Sequence, residues 1–185
     1  VFTVSRDFRR DDNYSAEENT TGIWLMSSFN TYLNDAPFWG NAGVRRVETE
    51  QSSTAWATVG VTPTQVTVDH KYDELLPSLN LNYEPWEDVV VRFGYAEVMA
   101  RAGLGAIRPN VSVSVSGSAR TVAGGNPYLE PTRAKTYDLG VEIYFSDESM
   151  LGVALFQKDI ESHVQTLRET KTFTDTGLPV SAAVA

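Results

Sequence analysis

Carboxylates, imidazoles and aromatic rings are the residues of this chain that could do chemistry. Asp138 and Glu142 lie four residues apart in an alternating segment. That spacing puts both on one face of a strand, but about 13 Å from each other. Paired glycosidase carboxyls sit about 5–9.5 Å apart, so the two read as charges on a wet face. His70 and His163 are the only histidines and there is no cysteine, which argues against a zinc cage, a thiolate nucleophile or a disulfide framework. Ser112, Ser114, Ser116 and Ser118 alternate with Val and Gly and carry no nucleophile-elbow pattern. Gly103, Gly105, Gly124 and Gly125 lack the flanking strand and helix of a phosphate loop. No catalytic residue, metal ligand or cofactor is expected. Trp56, Tyr128 and Phe173 could stack on a sugar ring or an aromatic chelator, and Arg108 and Arg120 stand in the same kind of polar segment. Trp56, Arg108, Arg120 and Tyr128 are therefore the candidate ligand contacts.

The elements that would position these residues are strands. The chain has 185 residues, 42% of them hydrophobic and 11% aromatic, which excludes a disordered chain and suits a sheet. Its net charge of -9 makes it a poor nucleic-acid binder, because phosphate neutralisation needs clustered Lys and Arg. No apolar run is long enough for a transmembrane helix, but a membrane β-barrel alternates and never produces such a run. The chain starts at Val1 without an initiator Met, and both ends are expected to be cuts through something longer.

Period-two alternation predicts strands near 22–33, 39–50, 72–84, 88–100, 132–145 and 149–162, all in one antiparallel up-and-down meander. Short turns are expected at 34–38, 84–88 and 146–149. Residues 1–20, 52–71, 101–131 and 165–185 read as long polar loops. In a meander every short turn then falls at one end and every long loop at the other, the asymmetry of outer-membrane barrels. One face collects Leu79, Leu81, Val91, Phe93, Val141, Ile143, Val153 and Leu155, with aromatic residues near both strand ends. The other collects Arg45, Asn80, Asn82, Arg92, Asp138, Glu142 and Lys158, which would face a lumen. An ordinary sheet with one solvated face has the same pattern, so a soluble all-β ligand- or carbohydrate-binding module is the alternative.

The last hairpin allows a register to be set. Tyr144 opposite Met150 places Ile143 by Leu151, Val141 by Val153 and Leu139 by Leu155, with Thr136 opposite Lys158. Asp138 and Lys158 should then share a face within reach of each other, and Arg92 should point to the same side as Glu142.

Four strings carry a resemblance beyond this pattern. Tyr72-Asp-Glu-Leu-Leu-Pro-Ser-Leu-Asn-Leu-Asn-Tyr83 resembles a strand common in TonB-dependent outer-membrane receptors. Gly125-Asn-Pro-Tyr-Leu-Glu-Pro131, followed by Tyr137-Asp-Leu-Gly-Val-Glu142, looks like that family's "GNPxLxP" loop and next strand. Leu155-Phe-Gln-Lys-Asp-Ile160 resembles "FYKDI", and Gly40-Asn-Ala-Gly-Val-Arg45 is similar to "GNVGVRY". The resemblance covers roughly 20–165; it departs at Arg46, where an aromatic is usual, and at Ala100-Arg101-Ala102, where a Thr-Arg-Pro-like string is usual. It implies that residues 1–185 are part of an about 22-stranded barrel, without plug or signal peptide and too few strands to close. It further implies residence in the outer membrane of a Gram-negative bacterium and TonB-energised uptake of a scarce nutrient such as a siderophore, cobalamin or oligosaccharide. The implied partners are TonB through an N-terminal region outside this chain, the nutrient and outer-membrane lipid. Alone, the fragment would be expected to self-associate through its exposed sheet edges.

Overall fold

The computed structural model describes residues 13–59, 62–116, 119–146, 148–170, 172 and 175. The strands are β1 (Tyr14–Leu33), β2 (Ala36–Val59), β3 (Thr62–Trp86), β4 (Val89–Ala100), β5 (Val111–Ser116), β6 (Ala119–Gly124), β7 (Thr132–Ser146) and β8 (Ser149–Ile160). Six of them form one antiparallel sheet in the order β1-β2-β3-β4-β7-β8, and β5 and β6 pair with each other. The sheet is the expected meander, and the turns joining β1 to β2, β3 to β4 and β7 to β8 lie at one end.

Local chemistry fixes those turns. Leu33 pairs with Ala36, and the two linking residues, Asn34 and Asp35, have φ of 50° and 62°. A two-residue turn with both φ positive matches the right-handed twist of the strands it joins, and Asn and Asp tolerate that region best after Gly. Before the Glu87–Asp88 turn, β3 gains one residue on β4 between Tyr83 and Trp86. Pro85 sits in that bulge, where its missing N–H costs the ladder nothing.

The period of two then sorts the side chains. Leu81, Phe93, Leu139 and Leu155 stand in one cross-strand row, and Tyr83, Val91, Val141 and Val153 in the next. The register of β7 with β8 is the one that apolar pairing demands, from Tyr144 opposite Met150 to Thr136 opposite Lys158. This apolar face is bare: Leu25 is 74% exposed and Leu155 68%. Rings flank it at two heights. Phe38 meets Phe29 at 5.1 Å and Tyr83 at 6.3 Å near the short turns, and Tyr95 meets Tyr137 at 5.1 Å toward the other end.

Three expected loops differ. Strand β1 begins at Tyr14, inside the segment expected to be a loop over 1–20; residues 1–12 lie outside the description. Residues 52–71 are mostly strand, because β2 and β3 stay paired from Phe38↔Tyr83 up to Val59↔Thr62. The Thr- and Val-rich run from Thr54 to Val68 favours extended backbone. Ala55, Ala57, Val59, Val66 and Val68 do alternate there with Thr54, Thr58, Gln65 and Thr67, but Ser52-Ser53, Gly60 and Pro63 gave the stretch the look of a loop. Within 101–131, β5 and β6 form a hairpin of their own.

Gly40 shows how closely the sheet is drawn together. A Cβ there would lie 2.2 Å from the Asn80 carbonyl oxygen and 3.2 Å from the Phe29 ring. We expect Gly40→Ala to destabilise the β2–β3 pairing by about 1–3 kcal/mol, as overpacking does. A lowered midpoint in a denaturant or thermal melt of the folded sheet would register it; an unchanged midpoint would contradict the close approach.

Candidate functional site

The polar face carries a hydrogen-bonded network across three strands. Arg92 on β4 grips Glu142 on β7 with both arms, Nε to Oε1 at 2.8 Å and Nη2 to Oε2 at 3.0 Å. Its third nitrogen donates to Asn82 Oδ1 on β3 at 2.8 Å, and the Tyr144 hydroxyl donates to Glu142 Oε2 at 2.7 Å. Asn80 donates to Asn41 at 2.9 Å. The fork fits because Gly140 stands opposite Arg92 and Gly152 opposite Glu142, leaving room for each long side chain. Arg45, Asn80, Asn82, Arg92, Asp138, Glu142 and Lys158 all lie on this face.

One expected contact is absent. Asp138 and Lys158 share the face, but no ion pair joins them among the described residues. Phe156 stands opposite Asp138 and Thr136 opposite Lys158, so the two charges are diagonal neighbours, and the Lys158 side chain does not turn toward Asp138. Arg92 with Glu142 is the pair that forms.

Further from the short turns, the apolar face ends in charge. Arg46 meets Asp73 at 3.3 Å, Lys71 meets Glu48 at 2.7 Å and Glu50 at 2.9 Å, and Lys135 meets Glu161. These residues follow directly on Val44, Leu75 and Tyr137 in the same alternation. Hydrogen bonding to Glu48 and Glu50 raises the Lys71 ammonium, and the bond from Lys71 lowers Glu48. Such exposed pairs contribute little stability. Their meaning is positional: they mark where the oily band stops.

On the opposite side at this height, the sheet is covered. Segment 101–131 folds back over β1–β3 and is tied at several points. Arg101 reaches Glu18 at 2.7 Å and Thr20 at 3.0 Å on β1. Gly105 lies under the Tyr14 hydroxyl. The Tyr128 ring stands edge-on to His70 of β3 at 5.8 Å, and His70 in turn lies 5.9 Å from Tyr72. At the root of the segment, Arg133 is shared between Glu74 of β3 and Glu130. Hydrogen bonding to Glu74, ahead of that to Glu130, raises the guanidinium further above its already high value. Val47, Thr49, Gln51, Ser53 and Ala55, alternate residues of β2, are nearly sealed from solvent, as are Ile107, Asn110 and Pro131 of the segment.

The Gly125–Pro131 string has a physical role here. A Cβ on Gly125 would meet the Ala106 and Arg108 carbonyl oxygens at 2.5 and 2.7 Å. Asn126 N–H donates to the Ala106 carbonyl at 2.7 Å, and Asn126 Oδ1 accepts the Tyr128 N–H at 3.0 Å. The Asn-Pro turn thereby aims Tyr128 at His70.

The sequence candidates divide. Tyr128 is brought against β3, while 60% of its surface stays exposed. Arg108 is half-buried in the covering segment. Trp56 is on β2 and not in a loop, on the same face as Val44 and Arg46, away from Tyr128. Arg120 belongs to β6, its side chain outside the description, as is Phe173. Thr49, Gln51, Ser53 and Tyr72 were not singled out as site residues, because nothing in their own stretches of chain signals that these polar side chains are buried. Among the described residues no group of His, Asp and Glu is placed to hold a metal.

A long-stranded meander with one bare oily face, a charged rim and a hydrogen-bonded polar face defines a section of a transmembrane β-barrel. Residues 2–184 match the family model of the TonB-dependent receptor-like β-barrel, and the chain belongs to that family. It is thus part of an outer-membrane barrel of a transport-receptor family. Among solved structures, it resembles the siderophore receptor PiuA from Acinetobacter baumannii, with a TM-score of 0.52 and 18% identity, covering 77% of this chain and 19% of that one. It also resembles the ferric-catecholate import receptor Fiu from K12 E. coli in its closed form, with a TM-score of 0.51 and 20% identity, covering 79% of this chain and 22% of that one. These likenesses concern the fold, and the chain spans about a fifth of each receptor's length. No curated protein matches it.

Replacing Arg133 by Met should leave the Glu74 carboxylate, 10% exposed, without its cation. We expect a loss of about 1.5–3 kcal/mol, the range for a charged hydrogen bond, partly restored by adding Glu74→Gln. Faster amide exchange across 101–131 in Arg133→Met, slowed again in the double variant, would be the signature. Unchanged protection would mean that Arg133 does not hold the segment.

Proposed function

We propose that this chain is part of the wall of a receptor that imports a scarce nutrient across the outer membrane with energy delivered through TonB. TonB itself would act on parts of the receptor beyond this chain. The single observation supporting this most is the bare apolar band, bounded by rings at two heights and by ion pairs at one end. In a soluble ligand-binding module, a second layer would cover that band. Outer-membrane lipid is its partner in this reading, and the Arg92–Glu142 face lines the lumen. Segment 101–131, with Arg108, Arg120 and Tyr128, lies on the ligand's side of the wall, while Trp56 is on the outer side of the long β2–β3 hairpin. Taken alone in plain buffer, the sheet is expected to associate through its oily face and unpaired edges.

Two measurements test this. In the whole receptor, Leu139→Arg should impair barrel assembly by about 2–4 kcal/mol, the cost of a cation near the bilayer midplane. Asp138→Asn on the other face should be tolerated. Folded, heat-modifiable barrel in outer-membrane fractions is the readout, and equal tolerance of both changes would reject the lipid-facing assignment. For import, cells lacking the receptor should lose uptake of one class among ferric siderophores, cobalamin and oligosaccharides, and TonB-deficient cells should lose the same class. Uptake indifferent to both deletions would reject the receptor function.

A further inference from the structure

The inner wall beneath segment 101–131 holds an unusual row. Thr49, Gln51 and Ser53 follow one another on one face of β2, with Tyr72 opposite Thr49 and His70 opposite Gln51 on β3. Thr49, Gln51, Ser53 and Tyr72 are each more than nine-tenths buried. Thr49 Oγ1, Gln51 Oε1, Ser53 Oγ, His70 Nε2 and the Tyr72 hydroxyl are shielded from solvent, yet none has a hydrogen-bond partner. The Thr49 hydroxyl lies beside the Tyr72 phenol, but no hydrogen bond joins them. Buried polar groups are nearly always paired, so this concentration on adjacent rungs of two strands marks a surface made for something other than its present cover.

The chemistry of the row narrows the guest. Its groups are hydroxyls, an amide oxygen and an imidazole nitrogen, able to give and accept hydrogen bonds. The nearest carboxylate, Glu18, accepts from Gln51 Nε2 at 3.4 Å, and no ammonium or guanidinium stands among them. The flanking charges neutralise one another, Glu18 with Arg101 and Glu74 with Arg133. An anionic metal chelate would find no free cation on this row. The groups recur about every 7 Å along the strand and about 5 Å across it, beside the His70, Tyr72 and Tyr128 rings. A ladder of neutral hydrogen-bonding groups next to ring faces suits a guest that repeats hydroxyls along its length.

We propose that Thr49, Gln51, Ser53, His70 and Tyr72 form a binding site for a neutral oligosaccharide, and that segment 101–131 lies over this site until the guest displaces it. The inference rests on the receptor function above and specifies its substrate class. Opening detaches Tyr128 from His70 and exposes the row, and the guest supplies the hydrogen bonds that the cover does not.

The test uses the whole receptor in detergent. Titration calorimetry with short neutral oligosaccharides of differing linkage should find one class that binds, and ferric catecholate should bind more weakly or not at all. Thr49→Val combined with Ser53→Ala should weaken oligosaccharide binding about tenfold or more, two neutral hydrogen bonds being removed. The same variant should melt no lower than the parent, since it removes unpaired buried polar groups, so lost binding is not lost folding. Amide exchange within 101–131 should accelerate when the oligosaccharide binds. Binding that the double variant leaves unchanged would overturn the proposal, as would failure of every neutral oligosaccharide to bind. Tight ferric-catecholate binding that ignores the variant would overturn it too while leaving the receptor function standing. TonB-independent uptake would instead strike the receptor function itself.

Discussion

Every feature of this sheet depends on one constraint: backbone N–H and C=O groups that enter hydrocarbon must be paired within the protein. Six strands meet it by an almost unbroken antiparallel ladder. The two register shifts, at Tyr83–Trp86 and Tyr144–Ser146, both lie beside short turns. The ladder in turn forces strict alternation, and alternation assigns each residue to oil or to the polar side. A slip of one residue in β7 would turn Asp138 and Glu142 outward and Leu139 and Val141 inward, so the side chains hold the register as firmly as the hydrogen bonds do.

The two faces solve different problems. The outer one needs only apolar surface and a clean boundary, which Arg46–Asp73 and Lys71 with its two glutamates provide. The inner one must keep charges without lipid or a dry core around them. It does so by connecting them: Arg92 meets Glu142, Asn82 stabilises Arg92, and Tyr144 completes the Glu142 carboxylate. Glycines opposite Arg92 and Glu142 give these side chains space. Asp138 and Lys158 share the face but stay outside this network.

Beyond the charged rim the sheet stops being a simple wall. Strands β1–β3 continue well past β4 and receive segment 101–131 on their inner side. The close approach at Gly125, the Asn126 turn and the Arg133 fork make this segment an ordered cover over a polar row. Arg101, Arg133 and the Tyr128–His70 ring contact hold it there, over a surface poorly matched to burial.

What the sequence determined by itself was everything governed by a period of two between lipid and water. Leu79, Phe93, Val141 and Leu155 announced the oily face, Asn34-Asp35 announced a turn, and the β7–β8 register followed from requiring apolar pairs. The motif strings pointed to the family that the match over 2–184 establishes. The tertiary structure decided what lies where neither face is oily. Residues 52–71 combine hydroxyls with Gly60 and Pro63, so only the pairing of β2 with β3 and burial distinguish Ser53 and His70 from solvated loop. Arg133 and Glu74 are 59 residues apart in sequence, and nothing local to either predicts the other. The inner row became legible only once a distant segment had folded onto it, because burial of a polar side chain is a property of what covers it and not of its own neighbours in the chain.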